Sequence, residues 1–450
     1  MSIYPQDTIV AIATPQGEGA VGIVRLSGPS ALKLAASHTA LDHSLLTLDS
    51  YRIRRTYLKL DERETDDILV FLGRAPKTYT GEDTVEFQCH GSPILLNRLV
   101  GSLVSAGARA ADPGEFTRRA FLNGRIDLTQ AEAVADLVSA RTDVGLDSAF
   151  FQLRGGLKER FQLLASELRQ TKTLLEAELD FSEDVTIDPK LVADQLRAAV
   201  DILESQIKSY DTGKLIRAGA SVTLCGKPNV GKSSLLNALL GQDRSIVTDV
   251  AGTTRDTIED AVEIGGLAIT LTDTAGLRET EDPIEREGNR RSNLAAAASD
   301  LVLLVCDGSV GPSPVDSAFL SDFSDALLIL NKADIGSSPE WEVVSGARET
   351  IRLSALTGMG LDELREGIRS ELGVGEQVRM EGVTNARHVE ALKQTQLALK
   401  RAMSRILDGS PGEIVSFEID EGLSALAGVI GETTAQDILD AIFSQFCIGK

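Results

Sequence analysis

The stretch Ser221-Val-Thr-Leu-Cys-Gly-Lys-Pro-Asn-Val-Gly-Lys-Ser-Ser-Leu-Leu-Asn237 decides the fold: a β-branched apolar run feeds a glycine-bounded loop, and the loop opens directly into a helical pattern. Residues Gly226 to Ser233 read G-x-x-x-x-G-K-S, a phosphate-binding loop. Gly226 and Gly231 allow the backbone to turn sharply and aim its N–H groups at phosphate oxygens. The start of the next helix adds positive dipole character. In this reading Lys232 reaches the β- and γ-phosphates and Ser233 ligates Mg²⁺.

Four motifs follow, each just after or between apolar strand-like runs: Gly252-Thr-Thr-Arg-Asp256, Asp273-Thr-Ala-Gly276, Asn331-Lys-Ala-Asp334 and Ser354-Ala-Leu356. Together they resemble the G-motifs of a GTPase. Asp273 ends the run Leu267 to Thr272, where a carboxylate at a strand's C-terminal end can hold the metal through water. Gly276 can donate its N–H to the γ-phosphate. The Asn331 to Asp334 element follows Ala326 to Leu330, and a carboxylate there can accept both the ring and exocyclic N–H donors of guanine, which adenine does not present. A guanine nucleotide is expected.

With 450 residues the chain has room for roughly three domains on the usual size prior. Its 42% hydrophobic and 25% charged residues are those of an ordinary globular protein. Apolar runs fall short of the roughly 18 residues that a membrane span requires, and no basic-then-apolar signal opens the chain, so a cytoplasmic protein without membrane contact is expected. Cys89, Cys225, Cys306 and Cys447 are widely spaced and include no C-x-x-C pair, which predicts neither a disulfide framework nor a zinc site. Cys225 and Cys306 sit in apolar strand runs and read as core thiols. The net charge of −22 argues against non-specific nucleic-acid binding over the whole surface. Residues 1–121 nevertheless carry 13 Lys/Arg against 14 Asp/Glu, so nearly all of that charge falls on the remainder. Any RNA contact needs a local basic patch, for which Arg52, Arg54 and Arg55 are candidates.

Residues 1–121 alternate short strand-like runs (Val21 to Ser27, Tyr51 to Tyr57, Asp67 to Leu72, Thr84 to Gln88) with loops and a helix from Ile94 to about Ala106, and read as a compact α+β domain. Arg25 and Glu86 lie inside strand patterns otherwise suited to a core, and a charge in such a setting points to solvent or serves a site. Residues 122–216 form a helical part. A long helical stretch begins at the cap Asp127 to Gln130, apolar residues recur from Leu157 to Leu179 with one buried stripe, and Asp188-Pro189 starts another helix to about Tyr210. Residues 217–375 alternate strand and helix as a doubly wound sheet does, with Gly265-Gly266 as a hairpin turn. From about Thr384, Val389, Leu392, Gln396, Leu399, Met403 and Ile406 restore a helical spacing in the last part, 376–450. Helices flank the α/β part on both sides, which predicts a nucleotide domain inserted into a discontinuous helical domain.

Over its whole length the chain resembles the MnmE (TrmE) family of tRNA-modification GTPases. The resemblance rests on Asp7-Thr-Ile-Val-Ala-x-Ala-Thr-Pro15, Gly22-Ile-Val-Arg-Leu-Ser-Gly28, Tyr79-Thr-Gly-Glu-Asp83, Pro113-Gly-Glu-Phe-Thr117, Ala120-Phe-Leu-Asn123, the G-motifs, and the closing Phe446-Cys-Ile-Gly-Lys450. It implies a first domain similar to tetrahydrofolate-binding domains, with Arg25, Glu86, Arg125 and Lys450 on the folate-binding positions. Arg125 stands where many relatives carry lysine. A pterin's amide and amino groups suit a carboxylate, and a glutamate tail suits cations.

For the nucleotide the resemblance implies Asn229, Val230, Gly231, Lys232, Ser233 and Ser234 on the phosphate loop. It adds Thr248, Asp249, Val250, Ala251, Gly252, Thr253 and Thr254 on a switch loop, Asp273, Thr274, Ala275 and Gly276 beyond, and Asn331, Lys332, Asp334, Ser354 and Ala355 around the base. The metal shell is Ser233 and Thr254 for Mg²⁺. Leu277 stands where many GTPases have a water-orienting glutamine, and leucine cannot hydrogen-bond water. The family instead uses K⁺, held at positions matching Asn229, Thr248, Val250 and Thr253. That cation neutralises charge developing between the β- and γ-phosphates. Glu285 matches a glutamate that positions the attacking water, so Glu285, Asn229 and Lys232 are the expected catalytic residues.

The expected protein is a homodimeric GTPase that joins MnmG (GidA), which supplies FAD, in a heterotetrameric or larger complex. Together they modify carbon 5 of the wobble uridine of certain tRNAs with a one-carbon unit from 5-formyl-tetrahydrofolate or another reduced folate. Cys447 reads equally as a reactive thiol or as part of the closure of the folate pocket. The alternative is a GTP-dependent ribosome-assembly or signalling switch. Such GTPases usually append a dedicated RNA-binding module, and nothing after residue 380 reads as one.

Overall fold

The structure, a computed structural model, describes residues 7–47, 49–181, 186–242, 245–246, 260–273, 298–345, 349–374, 381–433 and 435–450. It divides into two compact units. The first comprises the chain up to Ala135, Gln152–Gln162 and Ser424–Lys450; the second comprises Asp136–Phe151 and the described part of Leu163–Leu423.

The sheet of the first unit consists of β1 (Ile9–Ile12), β2 (Gly19–Ser27), β3 (Arg52–Leu60), β4 (Arg63–Gly73), β5 (Thr84–Gly91) and β6 (Arg109–Ala110), in the order β3-β4-β5-β2-β1-β6, and its longer strands alternate inward and outward residues. All neighbours are antiparallel except β1 and β6. Val24, Leu26, Val70, Leu72, Val85 and Phe87 point to one face and pack against Leu96, Leu99 and Leu103 of the helix Pro93–Ser105. Ser92 starts that helix by accepting the Leu95 N–H, with Pro93 in its first turn. Arg25 and Glu86 are register partners between these inward residues, so both project from the opposite face.

On the helix Glu115–Leu122, Arg119 is 3% exposed, yet it is charged and paired. Its guanidinium donates to Asp7 Oδ1 at 2.6 Å, Glu115 Oε1 at 2.9 Å and Glu82 Oε2 at 3.2 Å. Arg109 adds 2.6 Å contacts to Glu115 and Asp7. Glu82 passes the network on to the hydroxyl of Ser27 at the end of β2. Burial alone would raise the pKa values of Asp7 and Glu115, but the two arginines outweigh it and hold both carboxyls below their ordinary range.

The helical reading that begins at Asp127 resolves into three helices, Leu128–Ser139, Asp143–Leu153 and Gly156–Asp180, rather than one long stretch. The cap itself is reciprocal: Gln130 N–H donates to Asp127 and Asp127 N–H to the Gln130 side chain. The first break has a local cause, since the Thr142 hydroxyl accepts the Gly145 N–H at 3.1 Å and starts a new helix. The stripe along Gly156–Asp180 is buried at Leu157, Phe161, Leu164, Leu168 and Leu175, whereas Leu179 is exposed.

In the second unit the helix Pro189–Lys208 lies along Ala386–Leu407, although the α/β part separates them in sequence. The chain enters and leaves that part at one place, where the Val383 N–H donates to Ser209 Oγ at 3.3 Å. The nucleotide domain is therefore inserted in a discontinuous helical domain. Its sheet consists of β7 (Ala220–Cys225), β8 (Ser245–Ile246), β9 (Asp260–Ile264), β10 (Leu267–Asp273), β11 (Leu301–Asp307), β12 (Leu327–Asn331) and β13 (Thr350–Arg352). Their order is β13-β12-β11-β7-β10-β9-β8, parallel except where β9 pairs with β10 and with β8. Gly265-Gly266 forms the two-residue turn between β9 and β10, with φ of 61° and 84°. No helix among the described residues is long and apolar enough to cross a membrane.

Replacing Arg119 by Met leaves Glu115 and Asp7 short of a buried counter-charge, and is expected to cost the first unit about 3–5 kcal/mol. Hydrogen exchange of the β1 to β6 amides against urea checks this. Asp7 and Glu115 ionise more readily folded than unfolded, so their stabilisation is complete above their ordinary values of 3.8 and 4.5 and drains away as pH falls below them. Unchanged protection of these amides between pH 6 and about pH 3 would contradict that linkage.

Candidate functional site

Open α/β sheets bind ligands beyond the carboxyl ends of their strands, where the strand order reverses. Here the reversal lies at β7, which has β11 on one side and β10 on the other. The loop from Gly226 to Gly231 leaves β7 at that point and turns into the helix Lys232–Gln242, so Asn229, Val230, Gly231, Lys232, Ser233 and Ser234 all lie at the carboxyl edge of the sheet. Gly226 has φ of 138° and Gly231 φ of 100°, and a side chain at either would collide, with the Val305 carbonyl and with the Asn331 amide respectively. The backbone of the loop thus lies flush against β11 and β12.

Lys232 is 6% exposed, and its ammonium donates to the carbonyls of Gly226 at 2.7 Å and Lys227 at 2.9 Å. Burial lowers its pKa, an effect that the nearby Asp273 opposes. Ser233 Oγ donates to Asp273 Oδ2 at 2.9 Å, which brings a hydroxyl and a carboxylate together at the ends of neighbouring elements. Both are hard oxygen ligands of the kind Mg²⁺ takes. Asn229 is a non-glycine residue with φ of 63°. Its side chain is exposed on the loop.

At the far side, Asn331 is buried and bridges two motifs: its Nδ2 donates to Val230 O and its Oδ1 accepts from Ala355 N–H, both at 2.9 Å. Ser354 is fully buried and accepts the Thr357 N–H. Lys332, with φ of 66°, is tied to Asp307 at 2.7 Å. Asp334 is exposed, and no described residue pairs with its carboxylate. Motif reading does not reach Asp307; the signal for it in the sequence is an acid that closes the apolar run Leu301 to Cys306, and the structure makes it the register partner of Asn331. Thr248, Asp249, Val250, Ala251, Gly252, Thr253, Thr254, Thr274, Ala275, Gly276, Leu277 and Glu285 lie outside the described residues.

The first unit holds a second constellation. Arg25 Nε donates to Glu86 Oε1 at 2.8 Å, with both side chains about a quarter exposed or less. The Arg25 guanidinium also lies 5.6 Å from the Phe116 ring centroid and donates to the Gly449 carbonyl at 3.3 Å. Lys450 therefore sits next to this pair. Its main-chain oxygen accepts the Phe116 N–H at 3.1 Å, and the Cys447 carbonyl accepts the Gly114 N–H at 3.4 Å. Phe443 and Phe446 anchor this tail among Phe121, Ile126 and Leu128. Arg125 donates to the Thr78 carbonyl at 2.9 Å, steadying the loop whose Tyr79 hydroxyl pairs with Thr117. Cys447 is exposed, whereas Cys89, Cys225 and Cys306 are buried, and burial pushes their thiols up to about 12, 11 and 12. Of the basic candidates on β3, Arg52 and Arg54 are exposed and Arg55 is paired with Asp67.

A phosphate loop after β7, an acid at the end of β10 and an Asn-Lys-x-Asp element at the end of β12 define a P-loop GTPase domain. Residues 8–125 match the model of the GTP-binding protein TrmE N-terminus, and residues 128–447 that of the MnmE helical domain. The tRNA modification GTPase MnmE of Syntrophus aciditrophicus is 43% identical over 458 residues, covering 99% of this chain and all of that protein. That of Moorella thermoacetica is 41% identical, with 99% of each chain covered, and that of Aquifex aeolicus 40%, with 99% and 100% covered. The chain belongs to the MnmE family, and it is a GTPase of tRNA modification.

In the guanine-reading role expected from the sequence, Asp334 would accept two N–H donors of the base, whereas the fold does not lean on its exposed carboxylate. Asp334→Ala is expected to weaken GTP binding by about a hundredfold or more, the scale of losing two charge-assisted hydrogen bonds, and to leave nucleotide-free thermal unfolding unchanged. Titration with a fluorescent guanine nucleotide decides, and unchanged affinity would remove the base-reading role.

Proposed function

We propose that this GTPase modifies carbon 5 of the wobble uridine of certain tRNAs together with an FAD-dependent partner of the MnmG type, and that its first unit binds a reduced folate as one-carbon donor. The observation that carries the reading is the Arg25–Glu86 pair, held beside the Cys447 to Lys450 tail in one unit. Glu86 offers acceptors for the amide and amino groups of a pterin, and Arg25, Arg125 and Lys450 offer cations for an anionic tail. The resemblance to the family supports a homodimer, assembly with the partner in a heterotetrameric or larger complex, and action in the cytoplasm.

For hydrolysis, Lys232 would hold the β- and γ-phosphates and Ser233, with Thr254, the Mg²⁺ ion. The donor set fits a hard cation, and the metal supplies charge neutralisation on the phosphate oxygens. Asn229, with Thr248, Val250 and Thr253, would hold K⁺ beside the phosphates, and Glu285 would orient water. Positioning a water contributes little in the ground state and much in the transition state.

Mass spectrometry of wobble nucleosides from a strain lacking the protein tests the main reading, and a normal nucleoside profile would overturn it in favour of a GTP-driven switch. Deleting Cys447 to Lys450 is expected to abolish modification while GTP turnover stays nearly the same, because the phosphate loop and the Asn331 to Asp334 element belong to the second unit and the tail to the first. Turnover is expected to be stimulated by K⁺ and poorly supported by Na⁺, with Asn229→Ala blunting the response. Equal rates in the two salts would exclude the monovalent-ion site.

A further inference from the structure

Lys227, the second residue of the phosphate loop, is joined at both ends. Its ammonium donates to Asp316 Oδ2 at 2.7 Å and to Ser313 Oγ at 2.8 Å, and its carbonyl accepts the Lys232 ammonium at 2.9 Å. Asp316 is 3% exposed and stands in the first turn of the helix Pro314–Asp322, where it forms a capping box with Ser313. Its other oxygen faces the buried Cys306 thiol at 3.8 Å. Burial by itself would raise the Asp316 pKa, but Lys227 and Ser313 overcome it and keep the group ionised. The carboxylate is thus fixed by its own helix start before Lys227 reaches it, which makes it a rigid post rather than a mobile surface partner.

We propose that Lys227 is a positioning residue for GTP binding and hydrolysis: anchored to the Asp316 post, it fixes the entry of the phosphate loop and, through its carbonyl, the site of the Lys232 ammonium. The physical ground is that Pro228 and Asn229 supply no comparable side-chain anchor on this side of the loop among the described residues. A long flexible lysine gains a single geometry only when its head is bound to a buried, pre-oriented charge. Freed from Asp316, the loop keeps its glycine contacts on β11 and β12 but samples more positions at its start, and preorganised phosphate binding is lost. The inference rests on the reading of Lys232 as the phosphate-binding lysine.

The test uses the full chain. Lys227→Met alone leaves a buried carboxylate unpaired and can unfold the domain, so the informative variant is Lys227→Met with Asp316→Asn, whose neutral amide oxygen still caps the helix. Nucleotide-free urea unfolding of this double variant is expected to match the parent, while its GDP dissociation constant rises about tenfold or more and kcat falls with it, the scale of losing one charge-assisted hydrogen bond. Lys227→Arg, which keeps the charge within reach of Asp316, is expected to restore binding to within about threefold. Parent-like affinity and kcat in the double variant, or failure of the arginine to restore them, would overturn the positioning role. Lys232→Ala serves as the control. Its loss of nucleotide binding alongside a parent-like double variant would refute the role of Lys227 alone, whereas retained binding in Lys232→Ala would overturn both readings.

Discussion

One buried carboxamide holds the nucleotide-binding face together. Asn331 uses its donor on the Val230 carbonyl and its acceptor on the Ala355 N–H, so the phosphate loop, the Asn331 to Asp334 element and the loop after β13 are fixed to one planar group. An amide can do this because it carries a donor and an acceptor on one rigid frame, whereas aspartate or leucine could satisfy only one side or neither. Gly231 completes the constraint by leaving the Asn331 amide room against the loop backbone. Lys332 and Asp334 then take their places from a residue that cannot move without breaking contacts in two other loops.

The first unit follows a different logic, with charge in place of amide planarity. Arg119 draws Asp7, Glu82 and Glu115 together, three carboxylates supplied by the start of the chain, the loop before β5 and its own helix. Buried ion pairs of this kind are poor sources of net stability but severe when broken, so they specify an arrangement more than they strengthen it. What they specify is where the helix Glu115–Leu122 lies, and with it Phe116 under Arg25 and the N–H groups that receive the tail.

Much of this architecture was legible because it depends on local pattern. Apolar runs that end in Asp273 and Asn331 place these motif residues at strand ends, and Gly265-Gly266 has few uses other than a tight turn. The buried pair Glu115 and Arg119 was not legible: spaced four residues apart on a helix, it reads as an ordinary solvent-facing ion pair, and only contacts from Asp7 and Glu82 remove it from water. β6, two residues long, carries no period to read. The broken helix after Ser139 turned on one hydroxyl, that of Thr142, which outcompeted propensity. The nearness of Lys450 to Arg25 came from family resemblance and from no feature of the residues themselves.

The seating of the tail carries a consequence for the order in which the protein matures. Arg118 and Asp440 pair across 322 positions, and the residues that close over Arg25 emerge from the ribosome after the entire GTPase domain. The sheet of the first unit can form early, since its strands are all encoded at the start. Its constellation around Arg25 and Glu86 can be completed only once Gly449 has been made. A chain interrupted just before Gly449 would hold every strand of both sheets while lacking the carbonyl to which Arg25 donates. Placing the last contacts of this site after the nucleotide domain in sequence makes a finished first unit a mark that the nucleotide domain has already been synthesised.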